Sequence, residues 1–164
     1  MPDLTYRQYV DNRTQYWQQI GFQALPSDNS DLMFRRRKFS ITKFGIVDTF
    51  CIVTHMKNEV TTGFISEFGS DAFKIALKNK FFLPRGLGAM AVVYPLIVAN
   101  QVPETVANFL TQSHTPKHYA SVEFPVIFDL STQHLIFYQG TPVWGAAYYS
   151  GYRKEVQHLF AYQK

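Results

Sequence analysis

The chain has 164 residues, of which 46% are hydrophobic and 17% are charged, a composition that is typical of a folded protein and excludes a fully disordered one. Sixteen Lys and Arg residues against twelve Asp and Glu residues give a net charge of +4, an excess that permits contact with nucleic acid without requiring it. Pro95 and Asn100 interrupt the longest apolar stretch, so no segment reaches the roughly 18 residues that cross a bilayer, and we expect no membrane partner.

The first half of the chain predicts a helix, a hairpin and a second helix. Apolar and aromatic residues at near-helical spacing begin the chain, with Asp3 as the expected cap and Arg13 on the solvent side. Two segments joined around Lys43-Phe44-Gly45 predict a hairpin whose basic strand lies nearer the edge of the sheet, because edge strands tolerate charge. The predicted elements of this half are a helix at residues 3–20, strands at 32–42 and 46–54, and a helix at 62–80.

The second half is organised around an uncharged stretch at residues 87–99, which is apolar on both alternating faces. Such a run predicts a strand in the middle of a sheet, covered on both sides. A short helix, a hairpin and a last helix follow at residues 103–112, 122–129 with 134–139, and 142–162. The order α-β-β-α-β-α-β-β-α predicts one α+β domain over residues 1–164, with a mixed sheet of about five strands flanked by helices.

The most visible charged feature is the basic run Arg35-Arg36-Arg37-Lys38, which has a phenylalanine on either side. Arginine forks bind phosphates and aromatic rings stack on bases, so nucleic-acid binding without cleavage is one hypothesis. On a strand, however, side chains alternate between faces, so only two of the four cations share a side. A solvated edge strand is the favoured interpretation, and nucleic acid is a partner that we allow but do not favour.

Asp48 is an acid inside an otherwise apolar strand, where an unpaired charge is costly. Magnesium-dependent nucleases of the restriction-enzyme type place such an aspartate near a second acid and a lysine, and the predicted order of elements permits that comparison. Glu67 is the second acid in this hypothesis, which makes Asp48 and Glu67 the catalytic candidates. The acid-x-Lys pair of those nucleases is missing, so we favour Asp48 as a structural acid that meets an arginine or a backbone donor.

The segment Arg85-Gly86-Leu87-Gly88 is a candidate anion site, because a glycine-rich backbone beside a guanidinium can hold a phosphate or a carboxylate. Arg85, Gly86 and Gly88 are the residues of this hypothesis. Phosphate-binding glycine loops usually follow a strand and open a helix, whereas this segment precedes a strand. A plain turn into the central strand is therefore the favoured alternative.

No residue pattern identifies a catalytic or a metal site. His114 and His118 lie four residues apart, but Thr115-Pro116 breaks the helix that would align them as zinc ligands. Cys51 lies within an apolar strand, where a thiol is buried and inert. We therefore predict no cofactor and no metal. The single cysteine and the lack of a signal-peptide pattern at the N terminus predict a cytoplasmic protein.

The last predicted helix is rich in aromatic side chains. Helical spacing places Trp144, Tyr148 and Tyr152 on one stripe and Tyr149 on the next. The favoured interpretation is a buried face made of Trp144, Ala147, Tyr148, Val156, Leu159 and Phe160. The alternative is that these rings line a dimer contact or a pocket for a planar ligand.

None of these patterns identifies the function. Our leading hypothesis is a non-catalytic, cytoplasmic binding or regulatory module that self-associates as a homo-oligomer. It depends on the missing catalytic constellation and on an aromatic content of 16%, since aromatic residues are enriched at interfaces. The alternatives are a Mg²⁺-dependent nuclease of the restriction-enzyme type and a nucleic-acid-binding protein without cleavage.

Overall fold

The computed structural model describes residues 3–27, 31–43 and 45–163, so the turn residue Phe44 lies outside the described residues. The helices in these ranges are α1 Tyr6–Gln19, α2 Thr62–Asn79, α3 Glu104–Gln112 and α4 Ala146–Phe160, the last preceded by a 3₁₀ turn at Val143–Gly145. The strands are β1 Gln23–Leu25, β2 Leu32–Ser40, β3 Gly45–Met56, β4 Ala89–Ala99, β5 Ser121–Glu123, β6 Val126–Asp129 and β7 His134–Phe137. Within these ranges, no helix combines the length and the apolar character that spanning a membrane requires.

The strands form one mixed sheet in the order β1-β2-β3-β4-β6-β7, with β5 also paired to β4, in line with β6. The pairs β1–β2, β2–β3 and β6–β7 are antiparallel, while β3, β4 and the line of β5 and β6 run parallel. The α+β class with a mixed sheet is confirmed, but the described residues hold seven strands rather than about five. One additional strand is β1, a short segment that pairs with β2. The other arises because the predicted strand at 122–129 is divided into β5 and β6.

β4 lies at the centre of the sheet, as the uncharged stretch predicts. All of its residues except Met90 are buried, because helices cover both faces of the sheet. The register of β4 with β5 and β6 sets Pro95 beside Pro125. Proline has no N–H to donate, so the ladder is interrupted at this point and β5 is separated from β6.

Two helices cover each face of the sheet. α1 and α4 pack on one face through a core that includes Trp17, Tyr94 and Phe160. α2 and α3 pack on the other face through residues such as Phe73 and Leu110. Both crossover helices of the parallel strands therefore lie on the same face, and the order β3-β4-β6 runs in one direction across the sheet.

The start of α1 and the burial of Arg13 differ from the prediction. Thr5, rather than Asp3, caps the helix, because its hydroxyl accepts from the N–H of Gln8 and the Gln8 side chain accepts from the N–H of Thr5. Arg13, expected on the solvent side, is 1% exposed. Its guanidinium donates to the carbonyl oxygen of Leu159 near the end of α4. A cation at this position compensates the unpaired carbonyl groups of the helix terminus.

The buried face of α4 also differs from the prediction. Trp144, Ala147 and Tyr148, predicted to be buried, are exposed, whereas the predicted burial of Val156, Leu159 and Phe160 is confirmed. Tyr149 and Tyr152 share the core face with these three residues. Trp144 lies in the 3₁₀ turn before α4, where the angle between successive side chains differs from that of an α-helix, so a helical stripe drawn from Trp144 does not continue along α4. Two tyrosines therefore lie in the core, while the tryptophan and a third tyrosine remain at the surface.

Candidate functional site

The cations of the basic run divide between the two faces of the sheet, as strand alternation predicts. Arg35 donates to the carbonyl oxygen of Asn79 at the end of α2, with an N–O distance of 3.0 Å. Arg36, on the opposite face, forms a 3.0 Å ion pair with Glu155 of α4. Lys38 is exposed and has no partner among the described residues. Because β1 covers only the first part of β2, Lys38 lies where β2 is an edge strand.

Asp48 is 1% exposed and forms a two-point ion pair with Arg37, with N–O distances of 2.7 and 2.9 Å. One of its oxygens also accepts from the backbone N–H of Phe81, just beyond α2. Glu67 is exposed on α2, roughly 18 Å along the helix from its C-terminal end at about 1.5 Å per residue. Asp48 therefore has the structural partners that we favour, and the structure does not bring Glu67 to it. Within the described ranges, no three His, Cys, Asp or Glu side chains gather as metal ligands.

The glycine-rich segment before β4 forms a tight turn. Gly86 and Gly88 have φ angles of +79° and +92°, a conformation that glycine adopts without strain. The N–H of Gly86 donates to the carbonyl oxygen of Ala89, so it is not free to bind an anion. The Arg85 guanidinium donates to the carbonyl oxygen of Tyr119. These contacts fit the plain turn better than the anion-binding hypothesis.

A cavity of about 360 Å³ opens at the amino ends of β4 and β5. It joins the aromatic residues near the start of α4 to the loop before β5 and to the β2–β3 turn. Its lining residues are Thr42, Lys43, Met90, His118, Ala120, Ser121, Val122, Trp144, Gly145, Tyr148, Tyr149 and Tyr152. All four aromatic residues considered for a pocket or a dimer contact belong to this aromatic cavity.

The four rings of the aromatic cavity differ in how firmly the core holds them. Tyr149 and Tyr152 are buried, and their ring centroids lie 5.6 and 6.3 Å from that of Phe124. Trp144 meets the Tyr149 ring edge to face and is 44% exposed, while Tyr148 is 55% exposed. Trp144 and Tyr148 therefore offer ring surface to a bound molecule, on a wall that the buried tyrosines hold in place.

His118, another residue of the cavity wall, is paired with the buried carboxylate of Glu123, which does not itself line the cavity. Nε2 of His118 lies 2.6 Å from Oε2 of Glu123, whose side chain is 4% exposed. Burial raises the pKa of Glu123, although the hydrogen bond to His118 opposes that increase. The second ring nitrogen of His118, Nδ1, has no hydrogen-bond partner in the described part of the chain. With a carboxylate on Nε2, Nδ1 is the nitrogen that can accept a proton.

Two residues of α2 hold this pair in place. Gly69 approaches Glu123 so closely that a Cβ atom would lie 2.4 Å from Oε1, so glycine leaves the room that the carboxylate occupies. The Phe73 ring, one helical turn further on, stacks on the His118 imidazole with centroids 3.6 Å apart and planes 14° from parallel. The position of Gly69, which costs the helix about 1 kcal/mol relative to alanine, is explained by this contact.

Two lysine amines lie over rings of the aromatic cavity. Nζ of Lys43 is 5.3 Å from the Tyr152 ring centroid, and Nζ of Lys117 is 5.7 Å from that of Trp144. Burial lowers the pKa of Lys43, and the nearby Glu155 carboxylate opposes this decrease. No acidic residue belongs to the cavity lining. The two amines therefore favour a negative charge within it.

The buried tyrosines of the cavity stay neutral near physiological pH. Burial is the main cause that raises the pKa of Tyr149 to about 12, with smaller contributions from Tyr138 and Glu123. The pKa of Tyr152 is also raised, first by burial and then by Glu155. Their hydroxyl groups therefore remain neutral hydrogen-bonding groups rather than phenolates.

A second cavity, of about 670 Å³, lies at the carboxyl ends of the parallel strands. Three of its side chains are engaged with one another, since His55 stacks on Tyr6 with ring centroids 4.1 Å apart and Nε2 of His55 lies 3.3 Å from Oδ1 of Asn100. Open α/β sheets bind ligands beyond the carboxyl ends where the strand order reverses, and the described strands show no such reversal. The aromatic cavity is the better candidate for a binding site.

Sequence reasoning missed Lys43 and Glu123 as residues of this site and considered His118 only as a zinc ligand. Glu123 carried a usable signal, because it is an acid beside an apolar strand, as Asp48 is, and a buried acid needs a partner. His118, five residues earlier, is the partner that this signal would have suggested.

Neither a protein-family model, nor a curated protein, nor a solved structure matches the chain. The function is therefore inferred from the geometry of the site.

Proposed function

We propose that this protein is a binding module that holds a planar aromatic small molecule in the aromatic cavity. The observation that carries the proposal is the wall of four rings, which borders a space of about 360 Å³. Ligand sites commonly occupy about 300–1,000 Å³ and are lined by aromatic and apolar side chains with a few polar groups. A flat ring gains most from such a wall, because each ring contact adds about 0.5–1.5 kcal/mol beyond the burial of area.

Cys51 supports a cytoplasmic setting for this module. Its thiol is fully buried, and burial, followed by the negative charge of Glu155, raises its pKa well above the ordinary value. A thiol in this environment is inert. A lone free cysteine is typical of reducing compartments, so the cytoplasm is part of the proposal.

Quenching of tryptophan fluorescence by para-nitroanisole, a neutral planar ring, tests the proposal. The chain has two tryptophans; Trp17 is fully buried, whereas Trp144 lines the cavity, so a bound ring should quench Trp144 selectively. We expect saturable quenching, and Tyr148→Ala should weaken binding about fivefold because a ring contact of about 1 kcal/mol is lost. Tyr148 stacks on no described side chain, so the melting temperature should change by less than about 2 °C.

Tyr119→Ala is the matched control for this experiment. Tyr119 is 74% exposed and does not line the cavity, so its removal should leave the affinity unchanged. Two results would count against the proposal: quenching that rises linearly without saturation, and an equal loss of affinity in both tyrosine variants.

Self-association is the second property that we propose, because exposed apolar side chains favour it. Five large apolar side chains at the amino end of the parallel strands are each more than two-thirds exposed. They are Phe39, Ile41, Phe82, Leu87 and Val143. Large contiguous apolar patches on monomeric proteins often mark interaction surfaces. A second copy of this chain is the partner that we propose to cover them.

Sedimentation velocity at increasing protein concentration tests self-association. We expect the wild type to form dimers or larger species, and the double variant Phe82→Ser with Leu87→Ser to remain monomeric because the apolar contact is removed. A wild-type protein that stays monomeric at about 100 µM, where interfaces of ordinary affinity are occupied, would exclude this part of the proposal.

A further inference from the structure

The His118–Glu123 pair is supported from several sides. Gly69 leaves the space that the carboxylate occupies, and the Phe73 ring sets the plane of the imidazole at a centroid distance of 3.6 Å. Burial of a carboxylate to 4% exposure costs solvation energy. The hydrogen bond between the Glu123 carboxylate and Nε2 of His118 offsets part of this cost. The other ring nitrogen, Nδ1, has no hydrogen-bond partner in the described ranges.

His118 also belongs to the wall of the aromatic cavity, so a ring seated there meets an imidazole as well as the aromatic side chains. When Nε2–H donates to the Glu123 carboxylate, Nδ1 presents a lone pair. No described residue donates to this lone pair, so a ligand in the cavity that His118 lines is the donor that we consider for it.

We propose that the aromatic cavity selects planar ligands that carry an acidic ring hydroxyl, a phenol or an enol, and that His118 accepts the hydroxyl proton. This inference rests on the proposed function, because it names the class of molecule that the same cavity takes. In the transfer, the ligand O–H bond breaks, its electron pair stays on the ligand oxygen, and the proton forms a bond with Nδ1. The imidazolium then lies between the ligand oxyanion and the Glu123 carboxylate.

The charges around the pair favour the ionised ligand. Lys43 and Lys117 hold their amines over cavity rings, and Arg85 lies 5.9 Å from the centroid of the Phe73 ring that stacks on His118. The titratable and charged groups around His118 are Glu123 from β5, Arg85 from the segment before β4, Lys117 from its own loop, Tyr149 from α4 and Lys43 from the β2–β3 turn. A carboxylic acid has already lost its proton at neutral pH, so it would not use the accepting nitrogen.

A pair of probes separates this inference from the proposed function. Both para-nitrophenol and para-nitroanisole carry the same ring, but the methyl ether has no proton to give. The nitrophenolate absorbs visible light and the neutral phenol does not, so absorbance against pH reports the pKa of the bound probe. We expect that pKa to fall by about one unit or more below the value of the free probe. This equals roughly tenfold tighter binding of the phenolate than of the phenol.

Three variants identify the residues that cause the shift in the pKa of bound para-nitrophenol. His118→Gln should abolish the shift in the pKa of the bound probe while para-nitroanisole still binds, which shows that the fold and the rings are intact. Glu123→Gln should reduce the shift, because a neutral amide stabilises the imidazolium less than a carboxylate does. His134→Gln, an exposed histidine on β7, is the matched control and should behave as the wild type.

Each outcome of the probe experiment has one meaning. A shift that is present in the wild type and lost in His118→Gln supports the inference. Binding of both probes without a shift, or a shift that persists in His118→Gln, overturns the role of His118 and leaves the proposed function standing. Binding of neither probe overturns the proposed function, and the inference with it.

Discussion

The two ends of the parallel strands carry different chemistry. At the amino ends of β3, β4 and β5, aromatic rings, lysines and exposed apolar side chains surround a cavity of about 360 Å³. At the carboxyl ends of β3, β4 and β6, a larger cavity of about 670 Å³ is lined by polar residues such as Lys57 and Ser131. Size alone would favour the carboxyl end.

The difference lies in which side chains already have partners. At the carboxyl end, His55 is stacked on Tyr6 and lies within hydrogen-bond distance of Asn100. At the amino end, Nδ1 of His118 has no partner in the described residues, and the Tyr148 ring is half exposed. A binding site needs hydrogen-bonding groups without a partner and exposed ring surfaces in the free protein. Cavity volume does not measure this property, and the hydrogen bonds and ring contacts do.

Among the substitutions considered, removal of the Glu155 side chain should lower the free energy of unfolding most. Glu155 lies toward the amino-end side of the parallel strands. Its carboxylate pairs with Arg36 at 3.0 Å and accepts from the hydroxyl of Tyr94, a fully buried side chain, at 2.7 Å. Glu155→Ala leaves both partners unpaired, so we expect the free energy of unfolding in urea to fall by about 3 kcal/mol. Glu59→Ala removes an exposed acid at the carboxyl end and should cost less than about 0.5 kcal/mol. Equal losses in the two variants would contradict a structural role for Glu155.

Two glycines of α2 offer a smaller and sharper test of the amino-end site. In Gly69→Ala the new Cβ would lie 2.4 Å from the Glu123 carboxylate, so the gain in helix propensity is lost to overpacking, and we expect a net loss of about 1–2 kcal/mol. Gly63→Ala is the matched control, because its Cβ would meet only the Thr61 hydroxyl at 3.9 Å and should stabilise the helix by up to about 1 kcal/mol. Urea denaturation measures both changes. If Gly69→Ala were as stabilising as the control, the close contact with Glu123 would be refuted.

Substitution of His114 by Phe should have the smallest effect on the free energy of unfolding, and the size of that effect should depend on pH. Burial lowers the pKa of His114 below its ordinary value of 6.5, and its Nε2 is buried without a described partner. Because the pKa of His114 is lower in the folded chain than in the unfolded chain, the unfolded chain binds a proton at this histidine more readily. The free energy of unfolding therefore falls as the pH falls from 6.5 through the folded-state pKa of His114. His114→Phe keeps the ring contact with Phe109 and removes this loss.

The expected gain for His114→Phe is less than about 0.5 kcal/mol and appears between about pH 7 and pH 5, because the partly solvated ring weakens the effect. Thermal unfolding at several pH values measures it. His55→Phe at the carboxyl end is the comparison, since it removes a histidine that is hydrogen-bonded to Asn100. A gain for His114→Phe that does not change with pH would show that packing, and not proton binding, is the cause.

Local patterns were enough to predict the α+β class, the central strand and the division of the basic run. Strand periodicity assigned Arg35 and Arg36 to opposite faces, and the structure confirms that they bond to α2 and α4 respectively. That the buried Asp48 meets an arginine and a backbone donor followed from the cost of an unpaired acid in a strand. These predictions depend on residues that are close in sequence or on the energy of a single group.

Tertiary contacts decided the candidate site. His118 and Glu123 are held by Gly69 and Phe73 of another element, and Lys43 reaches the Tyr152 ring from the β2–β3 turn. The prediction for α4 was right at Val156, Leu159 and Phe160 but wrong at Trp144, Ala147 and Tyr148. The aromatic residues near the start of the helix form several apolar stripes, and the sheet selects the one that packs best. β1 was missed for a related reason, since a three-residue strand exists through its pairing with β2 and carries no periodicity of its own. Burial and pairing energies belong to atoms that are distant in the sequence, so only the folded chain brings them together.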